Sequence, residues 1–287
     1  MIETTIRARD NPNEVILMGV FSGVTENSRK LMQGVWRDGT FAEYAKVPLE
    51  NAYPLNEDKL TKLGYAINDL PLIQACLVPF GGLSDAGVVA GDTVIVAPAT
   101  GKFGGAAVVC AVAMGARVIA AGRNEQVLQH HVQIFGDKVQ SVKLVGDVEK
   151  DTASLRAACG EKGADVYIDF CPPAAGQNGE PSHIRACINV LRPKGVASLM
   201  GGLLGDISIP YLTVMHKDLK IKGKWMYDRN QVLQMIKMVE NGNLVLGRKA
   251  GVEIIGEYGL EDIYEAMQLA AEKPAWGSAV SLVPCKE

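Results

Sequence analysis

The sequence predicts an α/β chain: a doubly wound parallel sheet joined to a smaller β-rich portion. Three observations predict it. Between residues 92 and 243, short β-branched apolar runs alternate with helical stretches, the order that gives a parallel sheet covered on both faces. A glycine turn, Gly101-Lys102-Phe103-Gly104-Gly105, stands between the first of those runs and the next helical stretch. Residues 1–56 read differently, as short strands punctuated by turn residues.

Composition bounds the functions open to such a chain. At 287 residues it has room for one large domain and part of a second, and a 48% hydrophobic content supports a sizeable core. A net charge of −3 gives no reason to invoke nucleic acid or an anionic membrane surface. No apolar run reaches membrane-spanning length and residues 1–4 do not open a signal peptide, so a soluble, intracellular protein, cytoplasmic in location, is expected. The six cysteines, Cys76, Cys110, Cys159, Cys171, Cys187 and Cys285, lack C-x-x-C spacing and read as free thiols. The histidines, His130, His131, His183 and His216, show no ligand spacing with one another or with the cysteines, so no metal site is expected.

In chain order, residues 15–20 and 40–47 are expected strands. The second follows the turn signal Asp38-Gly39 and alternates as a half-solvated antiparallel strand should. From 59 to 87 the pattern is helical, with Pro71 near a helix start and Pro79 interrupting or kinking the helix just before Gly81-Gly82. Residues 93–96 make a strand buried on both faces, 106–114 a helix and 117–121 the next strand. A helix over 125–135, a strand over 139–144, a helix over 152–159 and a strand over 164–170 follow, the last running into a Pro-rich loop over 171–176. Then come a helix over 183–191, a strand over 195–200 ending in Gly201-Gly202, a strand over 219–225 and a helix over 230–240 closed by Asn241-Gly242. A strand over 252–255, a helix over 260–272 and a strand over 279–283 complete the chain.

The glycine turn carries the functional reading. It sits at the carboxyl end of its strand, where free amides and the positive end of a helix dipole stabilise an anion, and a pyrophosphate fits. The pattern G-x-x-G-G lacks the middle glycine of the dinucleotide fingerprint, and Lys102 stands in its place. The second strand ends at Gly122-Arg123-Asn124, where such folds read the adenosine ribose. An NAD site wants a carboxylate there. Gly122 offers none and Arg123 would pair with a 2′-phosphate, which favours NADP over NAD.

Several stretches together resemble the medium-chain dehydrogenase/reductase superfamily. GTFAEYAKVP is similar to the strand closing that family's N-terminal GroES-like barrel, GVVAGDTVIVAPATGKFGGAAV to its entry into the Rossmann domain and KGVASLMGG to the fifth Rossmann strand. LKIKGKWM resembles the last Rossmann strand, which often pairs across a dimer axis, and YGLEDIYEAMQLAAE with GSAVSLV resembles the return to the catalytic domain. The nearest likeness is to zinc-independent, alcohol-dehydrogenase-like members akin to quinone reductases.

The resemblance implies a partial GroES-like β domain plus linker over residues 1–75, a Rossmann domain over 76–245, a return to the β-rich domain over 246–287, and a homodimer. It also implies that Gly101, Lys102, Phe103 and Gly104 contact pyrophosphate, and that Gly122, Arg123 and Asn124 meet the adenosine end. Phe170, Cys171 and Pro172 would line the adenine side, and Gly201 and Gly202 the nicotinamide carboxamide. The departures bear on the chemistry. The half-barrel with the first zinc ligands has no counterpart, since the chain is expected to begin inside the barrel, and the third ligand falls near Gln74, with Cys76 close by. No metal is carried over, so reduction of an activated C=C or carbonyl is expected rather than simple alcohol oxidation. Tyr227 is nominated first as proton donor, ahead of Trp225, His216 and Tyr44. The alternative is a homologue that binds nucleotide or a small molecule in an open cleft, as a redox-neutral enzyme or a partner-binding protein.

Overall fold

The computed structural model describes residues 1–176 and 181–284, which leaves Cys285 outside the described residues. The chain forms two units: residues 1–58, 254–272 and from 279 onward make one, and residues 59–253 and 273–278 make the other. The boundaries read from sequence fell at 75/76 and 245/246.

In the first unit, β1 (Thr5–Arg7) and β2 (Val15–Leu17) pair antiparallel with Ile6 opposite Ile16. Ile6, Ile16 and Met18 form a small core against Leu31, Met32, Trp36 and Val47. Helix α1 (Glu26–Gln33), which the sequence reading missed, is capped by Thr25, whose Oγ1 accepts from the Ser28 amide at 3.0 Å. Two sequence expectations fail in this unit. Strand β2 stops at Leu17 because the amides of Val20 and Phe21 both turn back to the Leu17 carbonyl. Residues 40–47 form no strand: alternation needs a ladder partner, and none is present among the described residues, leaving Phe41 67% and Tyr44 91% exposed.

Helix α2 (Glu57–Lys62) spans the boundary in sequence, and the second unit continues with α3 (Leu72–Asp85). Helix α3 runs through Pro79, so the proline does not interrupt it. Ile73, Cys76, Leu77, Phe80 and Leu83 are all fully buried, so packing of this helix outweighs the one backbone bond that proline removes. Next come β3 (Thr93–Ala97), α4 (Lys102–Ala113), β4 (Arg117–Gly122), α5 (Glu125–Phe135), β5 (Val139–Lys143), α6 (Val148–Cys159) and β6 (Ala164–Asp169). They are followed by α7 (Ser182–Val190), β7 (Leu191–Leu199), α8 (Tyr211–His216), β8 (Lys220–Gly223) and α9 (Arg229–Glu240). The strands make one sheet in the order β5-β4-β3-β6-β7-β8, parallel throughout, and the order reverses between β3 and β6. This is the doubly wound Rossmann arrangement. Ile95, Ile119 and Tyr167 are fully buried at its centre. Strands β9 (Glu253–Tyr258) and β10 (Ser278–Leu282), with α10 (Ile263–Glu272) between them, complete the chain. Among the described residues no helix is long and apolar enough to cross a membrane.

One buried group makes the fold sensitive to acid. His131 in α5 is fully buried, its Nε2 bonded to the Ala99 carbonyl at 3.0 Å and its ring 6.1 Å from that of Trp276. Burial pushes the imidazole down to about 4. The unfolded chain then holds more protons between that value and the ordinary histidine pKa, so stability is complete above the ordinary value and falls as pH falls through this window. Between pH 7 and 5 the expected loss is about 2 kcal/mol in urea unfolding. His131→Gln removes this part of the pH dependence; equal slopes in both proteins would show that His131 is not its source.

Candidate nucleotide site

The crevice at the carboxyl edge of the sheet opens where β3 and β6 send their connections to opposite faces. Strand β3 leads through Pro98, Ala99 and Thr100 to Gly101, the extended N-cap of α4. The amides of Lys102, Phe103 and Gly104 lie in the first turn and have no carbonyl four residues back within the helix. Sequence reading began this helix at residue 106; the structure starts it at Lys102, so these amides belong to the helix end itself. A Cβ at Gly104 would overlap the Pro98 carbonyl oxygen and lie 3.0 Å from the Ala99 Cα, which shows how closely the helix end approaches the turn. Gly101 is exposed and has nothing within 4 Å of its Cβ position. Free amides at a helix end of this kind are the donors a pyrophosphate would need.

The other nominated residues gather unevenly around this edge. The Phe103 and Phe170 rings stack across the switch point, centroids 6.4 Å apart at 24°. Gly122 ends β4 against Thr100, whose Cγ2 would lie 2.8 Å from an added Cβ. Arg123 is exposed, with no hydrogen-bond or ion-pair partner among the described residues, yet its charge reaches Cys171. Asn124 caps α5, Oδ1 accepting from the Val127 amide at 3.3 Å, so that oxygen is already engaged. Cys171 is buried and Pro172 exposed. Burial, reinforced by Asp169, pushes the Cys171 thiol up to about 11, and Arg123 opposes the shift. Gly201 and Gly202 are exposed; the Gly202 amide donates to the Cys171 carbonyl at 2.8 Å, and a Cβ at Gly201 would lie 2.7 Å from that same carbonyl oxygen. A close backbone crossing therefore accounts for Gly201.

Tyr227 is placed elsewhere than at an open crevice. It is 3% exposed and donates its hydroxyl to Gln74 Oε1 at 3.1 Å, while its backbone crosses α3 at Gly81. Trp225, His216 and Tyr44 are exposed. The residues that sequence reasoning passed over are Tyr167, Asp169 and His183. The Tyr167 hydroxyl donates to Asp169 Oδ1 at 3.0 Å and His183 Nε2 approaches the same oxygen at 3.4 Å. Desolvation, together with the neighbouring Asp169, holds the Tyr167 phenol well above its ordinary pKa. The available signal was the run Asp169-Phe170-Cys171 at a strand end followed by a histidine in the first turn of the next helix.

Residues 103–241 match the family described as zinc-binding dehydrogenase. The chain is 29% identical over 216 residues to the quinone oxidoreductase of Sus scrofa, covering 75% of this chain and 58% of that protein. It is 26% identical over 210 residues to an L-threonine 3-dehydrogenase of Shewanella woodyi, covering 71% and 54%. The chain thus spans little more than half the length of these relatives. Among solved structures, L-idonate 5-dehydrogenase from Escherichia coli superposes with a TM-score of 0.70 at 20% identity, over 98% of this chain and 74% of that one. The zinc that the family description names finds no fit near Gln74. That side chain accepts from Tyr227, Cys76 is fully buried, and among the described residues neither belongs to a cluster of metal-ligand side chains. Fold, sheet order and sequence similarity over residues 103–241 agree in supporting a member of the medium-chain dehydrogenase/reductase superfamily.

Proposed function

We propose that the protein is an NADP(H)-dependent oxidoreductase that reduces an activated C=C or a carbonyl of a small organic substrate. One observation carries the reading: an open helix-end cradle at the topological switch point lies one strand from an exposed arginine that has no partner among the described residues. The nicotinamide cofactor, when bound, supplies the hydride. Gly101, Lys102, Phe103 and Gly104 would hold the pyrophosphate, Gly122, Arg123 and Asn124 the adenosine end, and Phe170, Cys171, Pro172, Gly201 and Gly202 the rest of the crevice wall. Among the described residues, those around Gln74 offer no metal-ligand set, so the proposed reaction draws on a proton donor instead of a Lewis acid there. Edge strand β8, unpaired on its outer side among the described residues, is the face proposed for a homodimer. Following NADPH absorbance against a panel of enones, quinones and aldehydes tests the activity, and binding without consumption of any acceptor would reject it.

A second reading, nucleotide binding without turnover, is favoured by the burial of Tyr227. Tyr227→Phe separates the two. If the phenol only packs, the variant loses about 1 kcal/mol of stability and keeps its turnover. A proton donor would instead be exposed by a fall in kcat of about 100-fold or more.

A further inference from the structure

Asp169 is a buried carboxylate without a lysine or arginine partner among the described residues. It is 3% exposed at the carboxyl end of β6, and its partners are the Tyr167 hydroxyl and His183 Nε2. Burying a carboxylate is costly unless cations or donors compensate it, and one phenol with one imidazole is a thin set of compensators. Cys171, two residues further on, brings a buried thiol to the same spot. A carboxylate oxygen of Asp169, Cys171 Sγ and a ring nitrogen of His183 all lie within 4.8 Å of one another.

That donor set has the composition of a three-ligand metal site. Tetrahedral zinc with bonds of about 2.0–2.3 Å holds its ligand atoms roughly 3.3–3.8 Å apart. The 3.4 Å between Asp169 Oδ1 and His183 Nε2 already falls in this range. One oxygen, one nitrogen and one sulfur select a borderline-soft ion over Mg2+ or Ca2+, which favour all-oxygen shells. Tyr167 would orient the carboxylate from behind, as outer-sphere donors do at metal sites. Gly201 contributes by its smallness: a Cβ there would overlap Asp169 Oδ2 and crowd the Cys171 backbone.

We propose that Asp169, Cys171 and His183 bind one Zn2+ ion in the nucleotide-binding unit, with the fourth position open to water. Coordination replaces the S–H bond of Cys171 by an S–Zn bond and releases that proton to solvent. The site involves neither Gln74 nor Cys76 and does not depend on the oxidoreductase reading.

The test uses the whole chain, stripped with a chelator and dialysed, with no nucleotide present. Titration with Co2+ alone should produce a thiolate-to-cobalt charge-transfer band in the near ultraviolet together with the visible bands of tetrahedral cobalt. Both should saturate at one ion per chain, and Zn2+ should bleach them. Cys171→Ser should abolish the charge-transfer band, and His183→Gln should weaken binding by more than the roughly 10–100-fold that losing an outer-sphere contact costs. Circular dichroism of the metal-free proteins checks that each variant folds, and Cys171→Ala replaces the serine variant should that one unfold. Buried Cys76, Cys110, Cys159 and Cys187 serve as internal controls. A band that persists without the Cys171 thiol, binding unchanged in His183→Gln, or no band with the folded wild-type chain at millimolar Co2+ would each overturn the proposal.

Discussion

Gly104→Ala is expected to lower both stability and nucleotide binding, whereas Gly101→Ala lowers binding alone. At position 104 an alanine gains helix propensity of about 1 kcal/mol over glycine. Against that, its Cβ would overlap the Pro98 carbonyl oxygen and crowd the Ala99 Cα, and neither is a flexible side-chain end that could move aside. Overpacking this deep against fixed atoms falls at the upper end of the usual range, about 3 kcal/mol, so the clash outweighs the propensity. The net loss of about 2 kcal/mol should appear as a Tm lower by about 4–8 °C, with NADPH fluorescence enhancement lost as the helix end shifts. Gly105→Ala should destabilise likewise, since its Cβ would enter the buried Trp276 ring. Gly101 differs because its Cβ would project into open space at an extended φ of −87°. An alanine there should leave Tm unchanged while filling the volume assigned to the pyrophosphate. Equal NADPH affinity in wild type and Gly101→Ala would remove the cradle from the nucleotide site.

Much of the sheet was legible because its signals are local. The β-branched runs at residues 93–96 and 117–121 and their glycine punctuation state both the strand and its end. Helix α5 was read at its observed bounds, Glu125–Phe135, since Asn124 supplies an N-cap and Gly136 a stop. Signals failed where the outcome depends on a distant partner. Alternation over residues 40–47 describes a strand's two faces but cannot supply the neighbour that makes it one, and Pro79 breaks an isolated helix but not one buried along its length. The site divides in the same way. Gly101 and Gly104 were nominated from a local turn, because what they do depends only on the backbone next to them. Asp169 and His183 meet only because β6 and the start of α7 share the carboxyl edge, which no short motif encodes. For Tyr227, its position after a strand said nothing about which way the phenol points, and it points onto α3.

Arg123→Ala is expected to weaken NADPH binding by about 10–100-fold and to leave NADH binding unchanged, which follows from roughly 1.5–3 kcal/mol for a charge-assisted contact to phosphate. The neighbouring groups argue for the same preference. Gly122 has no side chain to accept from a ribose hydroxyl, and Asn124 Oδ1 is committed to the Val127 amide. The next acidic group, Glu125, pairs with Lys143 at 2.9 Å. An adenosine 2′-hydroxyl placed there would meet no free carboxylate along residues 122–125, whereas a 2′-phosphate would meet a guanidinium with no other ion-pair partner among the described residues. Because Arg123 is exposed, the contact should be screened by salt, so the NADPH advantage should shrink between low ionic strength and about 1 M, where the Debye length falls to about 3 Å, while NADH affinity moves little. Arg123→Asp should go further and reverse the preference, repelling the phosphate and offering the ribose the acceptor it lacks. Parallel fluorescence titrations of wild type and both variants with the two reduced nucleotides decide the matter, and tighter NADH binding by the wild-type chain would remove Arg123 from the role given to it.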